Sequence, residues 1–332
     1  MTKKALITGI SGQDGSYLTE YLISLGYEVH GVVRRHSVAE NQNYRLHMIN
    51  KDGKYEHKGD SRIKTHYGDM LDYASLQRIV SEVMPDEIYN LAAMSHVRIS
   101  FDMPMYTIQT NAIGVLNILE VYRTVCPSAK FYQASSSEMF GNSVDADGIQ
   151  RLTTPMTPVS PYGCAKVMGY NLVRHYRHAY GLHACNGILF NHESPRRGSN
   201  FVTNKVVKGA VAIKKGLQEK LELGNMDSFR DWGHSKDYVR AMHMIVNHNT
   251  ADEFIVATGK THSVRDLCRV VFEKLDMNYE DFIVQNPVYM RPEELKYLKG
   301  DSSKARDILG WKPDYTFESM IDEMISHWQE AL

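Results

Sequence analysis

Cysteine is scarce in this 332-residue chain, with only Cys126, Cys164, Cys185 and Cys268. No two of them are three apart, which excludes a zinc ribbon or a thioredoxin-like redox pair. In a chain this long they read as reduced thiols, and a reducing compartment is expected. Net charge is also small, −1 from 38 basic and 39 acidic side chains. A general nucleic-acid binder would need a basic face, so nucleic acid is not expected as a partner. Long apolar runs are missing: none approaches the roughly 18 residues of a membrane span. The apolar run in MTKKALITG is too short for a signal peptide. A cytoplasmic protein with no membrane partner is expected. The chain has no internal repeat and no low-complexity segment. Histidine is plentiful at fifteen residues. However, His175 and His178 have no carboxylates set around them and fit a wet helix face, so no metal is expected.

What is present is ordinary globular material, 43% hydrophobic and 23% charged, enough for a sizeable core. KALITGI (4–10) reads as a strand and SYLTEYLISLG as an amphipathic helix, with Tyr17, Leu18, Tyr21, Leu22 and Leu25 on one face. YEVHGVV then returns to strand. The alternation continues through IKTHYGD, YASLQRIVSEV, DEIYNLAA, NAIGVLNILEVYRTV and AKFYQAS. A long helix is predicted from Ser160–Pro161 to about Tyr180, because proline suits a first helical turn. LHACNGILFN reads as a sixth strand, ADEFIVATG as another, and SVRDLCRVVFEKL as a serine-capped helix.

Alternation of this kind implies an α/β fold with a doubly wound parallel sheet of Rossmann type. Ligands then bind at the carboxyl ends of the strands. The pattern weakens after Asn191, which suggests a smaller α/β substrate-binding domain. Residues 1–185 and 236–262 are expected to form the dinucleotide-binding domain, and 186–235 and 263–332 the substrate domain. The polar stretch His36–Ser61 lacks a period and is too long for a simple connection. It is expected to contact another subunit.

TGISGQDG places Gly9, Gly12 and Gly15 between a strand and a helix, where backbone can approach a pyrophosphate. An ordinary strand-to-helix turn is the plain alternative. The second strand ends in VVRRHS. Arg34 and Arg35 there suit a 2′-phosphate, since a guanidinium fork matches phosphate oxygens, and so favour NADP over NAD. Asp69 in YGDM could accept from the adenine amino group. The small residues of LAAMS, Leu91, Ala92, Ala93, Met94 and Ser95, leave room for backbone contacts to a cofactor. Either stretch could equally be a tight turn.

Tyr162 alone among twenty tyrosines has a lysine four residues on, Lys166. On a helix that spacing puts both side chains on one face. A free phenol has a pKa near 10, and a neighbouring ammonium favours the phenolate. Ser136, just after the fifth strand, would complete a set that binds and deprotonates a hydroxyl. Alcohol oxidation does not require the nearby Glu138.

The glycine pattern, the Ser/Tyr/Lys set and the length resemble the extended short-chain dehydrogenase/reductases that act on sugar nucleotides. ALITGISGQDGSYL, GDMLD, EIYNLAAMSHV, FYQASSSEMFG, SPYGCAK, NGILFNHESPRRG, FVT and RDWGHSKDYV are similar to the GDP-mannose 4,6-dehydratase branch of that family. The resemblance runs from about Lys4 to Pro313. It implies catalytic roles for Ser136, Glu138 and Tyr162, with Lys166 in support. It implies NADP contacts from Gly9, Ile10, Ser11, Gly12, Gln13, Asp14 and Gly15, and from Arg34, Arg35, His36 and Ser37. Asp69, Met70, Leu91 to Ser95, Tyr106, Lys166, His192 and Arg197 complete that set. Asn191, Lys205, Arg230 and Arg291 would touch the sugar nucleotide, and guanidinium groups suit its diphosphate. A homodimer or homotetramer is implied.

The resemblance also gives Glu138 a role, that of taking the C5 proton once C4 is oxidised. Two departures stand out. The family usually has threonine at Ser136, and the stretch before YMRPEEL is shorter than in many members. GDP-manno-heptose is therefore a rival to GDP-mannose. Two other functions stay open, a simple NADP-dependent nucleotide-sugar reductase or epimerase and a non-catalytic NADP-sensing regulator.

Overall fold

The computed structural model describes residues 2–34 and 62–332. The His36–Ser61 stretch, and with it Arg35, His36 and Ser37, lies outside the described residues.

The first half alternates as the pattern implies. β1 (Lys4–Thr8), α1 (Gln13–Ser24) and β2 (Glu28–Val33) lead to β3 (Ile63–Tyr67), α2 (Tyr73–Val83) and β4 (Glu87–Asn90). Two short helices follow, α3 (Val97–Asp102) and α4 (Pro104–Ile108), then a π-helical turn over Gln109–Ile113, then α5 (Gly114–Val125). β5 (Lys130–Ser136), α6 (Pro161–Tyr180) and β6 (Ala184–Leu189) come next. These strands and the later β10 (Glu253–Val256) form one parallel sheet in the order β10-β6-β5-β4-β1-β2-β3. Every residue of β4, β6 and β10 is buried, as expected of strands covered on both faces. One apolar layer joins α1 to α8 (Ser235–Asn247) through Leu18, Leu22, Met242 and Ile245. The other joins α2, α5 and α6 through Ile79, Ile118, Leu119 and Val173.

Local chemistry explains the ends of the long helix. The Ser160 hydroxyl accepts from the Gly163 N–H at 3.0 Å, Pro161 occupies the first turn, and Gly181 closes the helix at φ +66°.

The chain then leaves the sheet. The sixth predicted strand breaks at Phe190, and β7 (Asn191–Glu193) pairs instead with β9 (Phe229–His234), which also pairs with β11 (Thr261–Ser263). α7 (Val202–Lys214) and β8 (Leu221–Leu223) lie between β7 and β9 in sequence. α9 (Val264–Glu273) carries a full capping box between Ser263 and Asp266. β12 (Ile283–Gln285) pairs with β8, and α10 (Ser303–Leu309) and α11 (Phe317–Ala331) close the chain. α7, α9 and α11 share a second core built on Val207, Val211, Leu267, Phe272, Ile321 and Met324. Among the described residues no helix is long and apolar enough to cross a membrane. None of their His, Cys, Asp and Glu side chains form a group of three or more suited to a metal.

Candidate active site

Strand order reverses between β1 and β4, and a cavity of about 650 Å³ opens there at the carboxyl ends of the strands. Its floor is the glycine-rich turn. Gly9 has φ +73°, and a Cβ on it would lie 2.9 Å from the Ala92 nitrogen. A Cβ on Gly15 would come within 2.3 Å of the Gly9 carbonyl. Only glycine permits this packing, and it brings bare backbone to the cavity. Gly12 caps α1 without a side-chain bond. Ser11, Gln13 and Asp14 line the same floor, and Arg34, Asp69, Met70, Leu91 to Ser95, Tyr106 and Arg197 form the walls. Arg34 donates to the Tyr106 hydroxyl.

The wall at residues 91–95 is tied down from behind. The Thr8 hydroxyl accepts from the Leu91 and Ala92 N–H groups, both at 3.1 Å. The Asn111 amide clamps Met94 by two bonds, 2.8 Å to its nitrogen and 2.9 Å to its carbonyl. Asn111 sits in the π turn, which the sequence pattern did not signal.

A second cavity of about 330 Å³ adjoins the first, and both are lined by Asp14, Leu91, Ala93, Ser95, Arg197 and Phe201. Ser136, Glu138, Tyr162, Lys166, Asn191, His192, Lys205, Arg230 and Arg291 all line this second space. The structure thus brings together residues that lie up to 155 positions apart in the chain, from Ser136 to Arg291. Ser136 ends β5, and its hydroxyl accepts from the Glu138 N–H at 3.2 Å. Lys166 donates to the Ala134 carbonyl at 2.8 Å and lies 5.6 Å from the centre of the Tyr162 ring. Burial pushes the Tyr162 phenol up to about 12, against the pull of the Ser136 hydroxyl. Burial pushes the Lys166 ammonium down to about 8, against the Asp14 carboxylate.

Glu138 is 7% exposed. Its Oε1 lies 3.5 Å from Nη1 of Arg291, and among the described residues its Oε2 has no hydrogen-bond partner. Three cations stand beyond it. Arg230 is 7% exposed, and burial pushes it down to about 10. Arg291 also approaches Glu294, at 3.4 Å. Lys205 lies 3.6 Å above the Tyr289 ring. The side-chain oxygen of Asn191 is buried and finds no partner among the described residues.

Three predicted cofactor residues have side chains committed within the protein. Ile10 is fully buried, and its side chain fills the space above Gly31, so it belongs to the core and lines neither cavity. Asp14 and His192 line the cavities, but they turn their polar atoms to each other, with Nε2 of His192 2.7 Å from Oδ2 of Asp14. Their side chains hold protein together, and any ligand contact from Asp14 falls to its backbone. Sequence reasoning also passed over Asp231. Its carboxylate accepts from the Thr258 N–H and hydroxyl and from the Gly259 N–H, fixing the turn beside Arg230. The only signal for it was its place inside RDWGHSKDYV.

Known proteins agree with this geometry. The family model described as GDP-mannose 4,6 dehydratase matches residues 6–324. The chain is 46% identical to the GDP-mannose 4,6 dehydratase of Drosophila melanogaster, over 97% of this chain and 85% of that protein. It is 47% identical to GDP-mannose 4,6 dehydratase 1 of Arabidopsis thaliana, over 97% and 89%. It is 44% identical to the enzyme of that name from Vibrio cholerae, over 98% and 94%. Among solved structures, UDP-glucose 4-epimerase from Thermus thermophilus, in complex with NAD, superposes with a TM-score of 0.84 at 22% identity, covering 99% and 100% of the two chains. A dTDP-glucose 4,6-dehydratase from Streptomyces venezuelae, with NAD bound, gives 0.84 at 22%, covering 98% and 97%. At that identity these structures speak for the fold alone. By family model and by identity along nearly its whole length, the chain belongs to the GDP-mannose 4,6-dehydratase family.

Proposed function

We propose that this chain removes water from GDP-mannose to give a GDP-4-keto-6-deoxymannose, with NADP as its resident cofactor. The observation that carries this is Glu138, a carboxylate with one oxygen unpartnered among the described residues, in the same cavity as Ser136, Tyr162 and Lys166. Oxidising an alcohol needs only the last three. Eliminating water needs a further acid-base group, and Glu138 is placed to be one.

The first cavity fits a dinucleotide, because bare glycine backbone and an uncapped helix start face it. Gly9 to Gly15 would hold the pyrophosphate, and Asp69 and Met70 would flank the adenine. Arg34 on the wall, with Arg35 beyond the described residues, favours the 2′-phosphate of NADP. When bound there, the cofactor would supply reversible hydride transfer between C4 and C6 of the sugar.

The chain's own groups move the protons. Tyr162 takes the proton of the 4-hydroxyl, and Lys166 holds a positive charge beside the phenolate that forms. The 4-ketone acidifies the C5 hydrogen, and Glu138 removes it. Glu138 then protonates the departing 6-hydroxyl with help from Ser136, and water leaves. The proton that Tyr162 took balances the one that returns to C5, and with a hydride added at C6 there is no net oxidation. Lys205, Arg230 and Arg291 stand where they can meet the diphosphate. We also infer a cytoplasmic homodimer or homotetramer, supported by the cysteine usage and the family. The second core supports a substrate domain at 186–235 and 263–332.

The test incubates the purified chain with GDP-mannose and, separately, with GDP-manno-heptose, and follows mass. Loss of one water from GDP-mannose without added NADPH is expected. Net consumption of NADPH, a product of unchanged mass, or reaction with the heptose alone would each replace this function with another.

A further inference from the structure

We propose that Asp14 and His192 act as a single charged unit, a positioning pair that fixes the dinucleotide loop against the sugar cavity. Geometry sets the charge of the histidine. Its Nδ1 lies 2.7 Å from the Phe190 carbonyl and its Nε2 2.7 Å from the Asp14 carboxylate. Both partners only accept, so both nitrogens must carry a proton, and the ring is an imidazolium. It is 9% exposed and stacks on Tyr238 from α8 with ring centres 4.5 Å apart.

Asp14 is held as firmly. Its Oδ1 accepts from the Ser235 hydroxyl at 2.5 Å and from the Gln13 amide at 3.2 Å. Gln13 also donates to the His192 carbonyl at 3.1 Å and accepts from the Ser194 hydroxyl at 2.7 Å. The start of α1, strand β7 and the start of α8 therefore meet in one closed set of bonds. Within the 191–197 segment, His192 and Ser194 bond to α1, while Asn191 and Arg197 line the second cavity.

The signs of the charges explain why the pair is useful. An isolated carboxylate at position 14 would favour the Lys166 ammonium but disfavour a Tyr162 phenolate. The imidazolium beside it offsets both effects, so the pair ties the two elements together without imposing a net charge on either group. The groups facing the pair are Arg197 from the following loop, Tyr238 from α8, Tyr132 from β5, and Lys166 and Tyr162 from α6. His192 is raised and Asp14 lowered to about 2, the directions expected of ionised partners, although burial opposes both.

The kinetic part rests on the proposed dehydration; the charge state does not. Asp14→Asn should lower kcat by roughly 10²-fold, the scale of a misplaced reacting group. KM for GDP-mannose should stay nearly unchanged. The pH profile of kcat should change as well, because His192 loses the carboxylate that holds its ring charged. The double variant with His192→Gln should be no slower than the worse single one. Variants that melt earlier but keep kcat and the pH profile would overturn the proposal. If they do not fold, nitrogen-15 histidine spectra of the intact wild-type chain decide it. At a pH above the ordinary histidine value, where the other rings are neutral, one ring should still carry two N–H protons. A spectrum of neutral rings only overturns the pair. A chain that shows the imidazolium but leaves GDP-mannose untouched keeps the pair and loses the dehydration.

Discussion

Two buried glutamates sit at opposite ends of the same parallel sheet. Glu87, 1% exposed, starts β4 at the amino end. Glu138, 7% exposed, follows β5 at the carboxyl end. Glu87 is fully occupied: its Oε1 accepts from the Tyr27 hydroxyl at 2.8 Å and from Lys3 at 3.3 Å, and its Oε2 from the Tyr89 hydroxyl at 2.7 Å. Glu138 has one long ion pair and, among the described residues, one oxygen without a partner. Burial alone does not separate the two. What differs is whether the protein satisfies the charge or leaves it for something else, and a carboxylate left partly unsatisfied in a cavity is a candidate for chemistry.

The comparison breaks most sharply at Glu138. Glu138→Gln should cut dehydration by roughly 10²–10⁴-fold, the usual loss of a positioned acid or base. Reversible oxidation at C4 and the thermal midpoint should survive. In deuterated water the wild type should incorporate deuterium at C5, and the variant only very slowly. Near-normal turnover would make Glu138 a structural carboxylate like Glu87.

Cations give the next contrast. Arg177 bonds Glu253 and the Ala184 carbonyl inside the fold, whereas Arg34 reaches the Tyr106 hydroxyl on the wall of the first cavity. Replacing Arg34 and Arg35 with alanine should weaken NADP binding by roughly 10–10²-fold, the worth of a charged hydrogen bond or two. NAD binding should barely change. Equal losses in a calorimetric titration would assign the arginines to the fold.

Glu87→Gln is the reverse experiment. An amide nitrogen cannot accept, so one tyrosine hydroxyl loses its partner, at about 1–3 kcal/mol of stability. Denaturant titration should show that loss while kcat stays at the wild-type level. A fall in kcat without a fall in stability would erase the distinction between the two ends.

The smallest expected effect is on pH-dependent stability. Asp14 titrates at about 2 in the folded chain, below the ordinary aspartate value of 3.8. Its contribution is therefore present above about pH 4 and is lost as pH falls towards 2, about 1–2 kcal/mol of it by about pH 2.5. Asp14→Asn should lose less stability than the wild type between about pH 5 and 2.5. Parallel stability curves would mean that Asp14 is not held ionised.

Local signals were legible from the sequence. The Ser160–Pro161 start, the period of Tyr73–Val83 and the Ser263 cap each lie within a few consecutive residues, and the structure reproduces those elements. Tyr162, Lys166 and Ser136 could be chosen because a strand-helix register carries them. What escaped was non-local. The Asp14–His192 bond joins residues 178 apart, and Asp231 serves a turn 27 residues on. The packing of the Ile10 side chain over Gly31 was not legible either, because a glycine-rich motif speaks for its backbone alone. The π turn at Gln109–Ile113 has no sequence period of its own to betray it.

That turn has a thermodynamic consequence. It places Asn111 where it can hold Met94, while Thr8 holds Leu91 and Ala92. The wall between the two cavities is therefore ordered before any ligand arrives. Ligands meeting this wall need not freeze it, so little backbone entropy is lost there on binding, and association is favoured by a surface already set in shape.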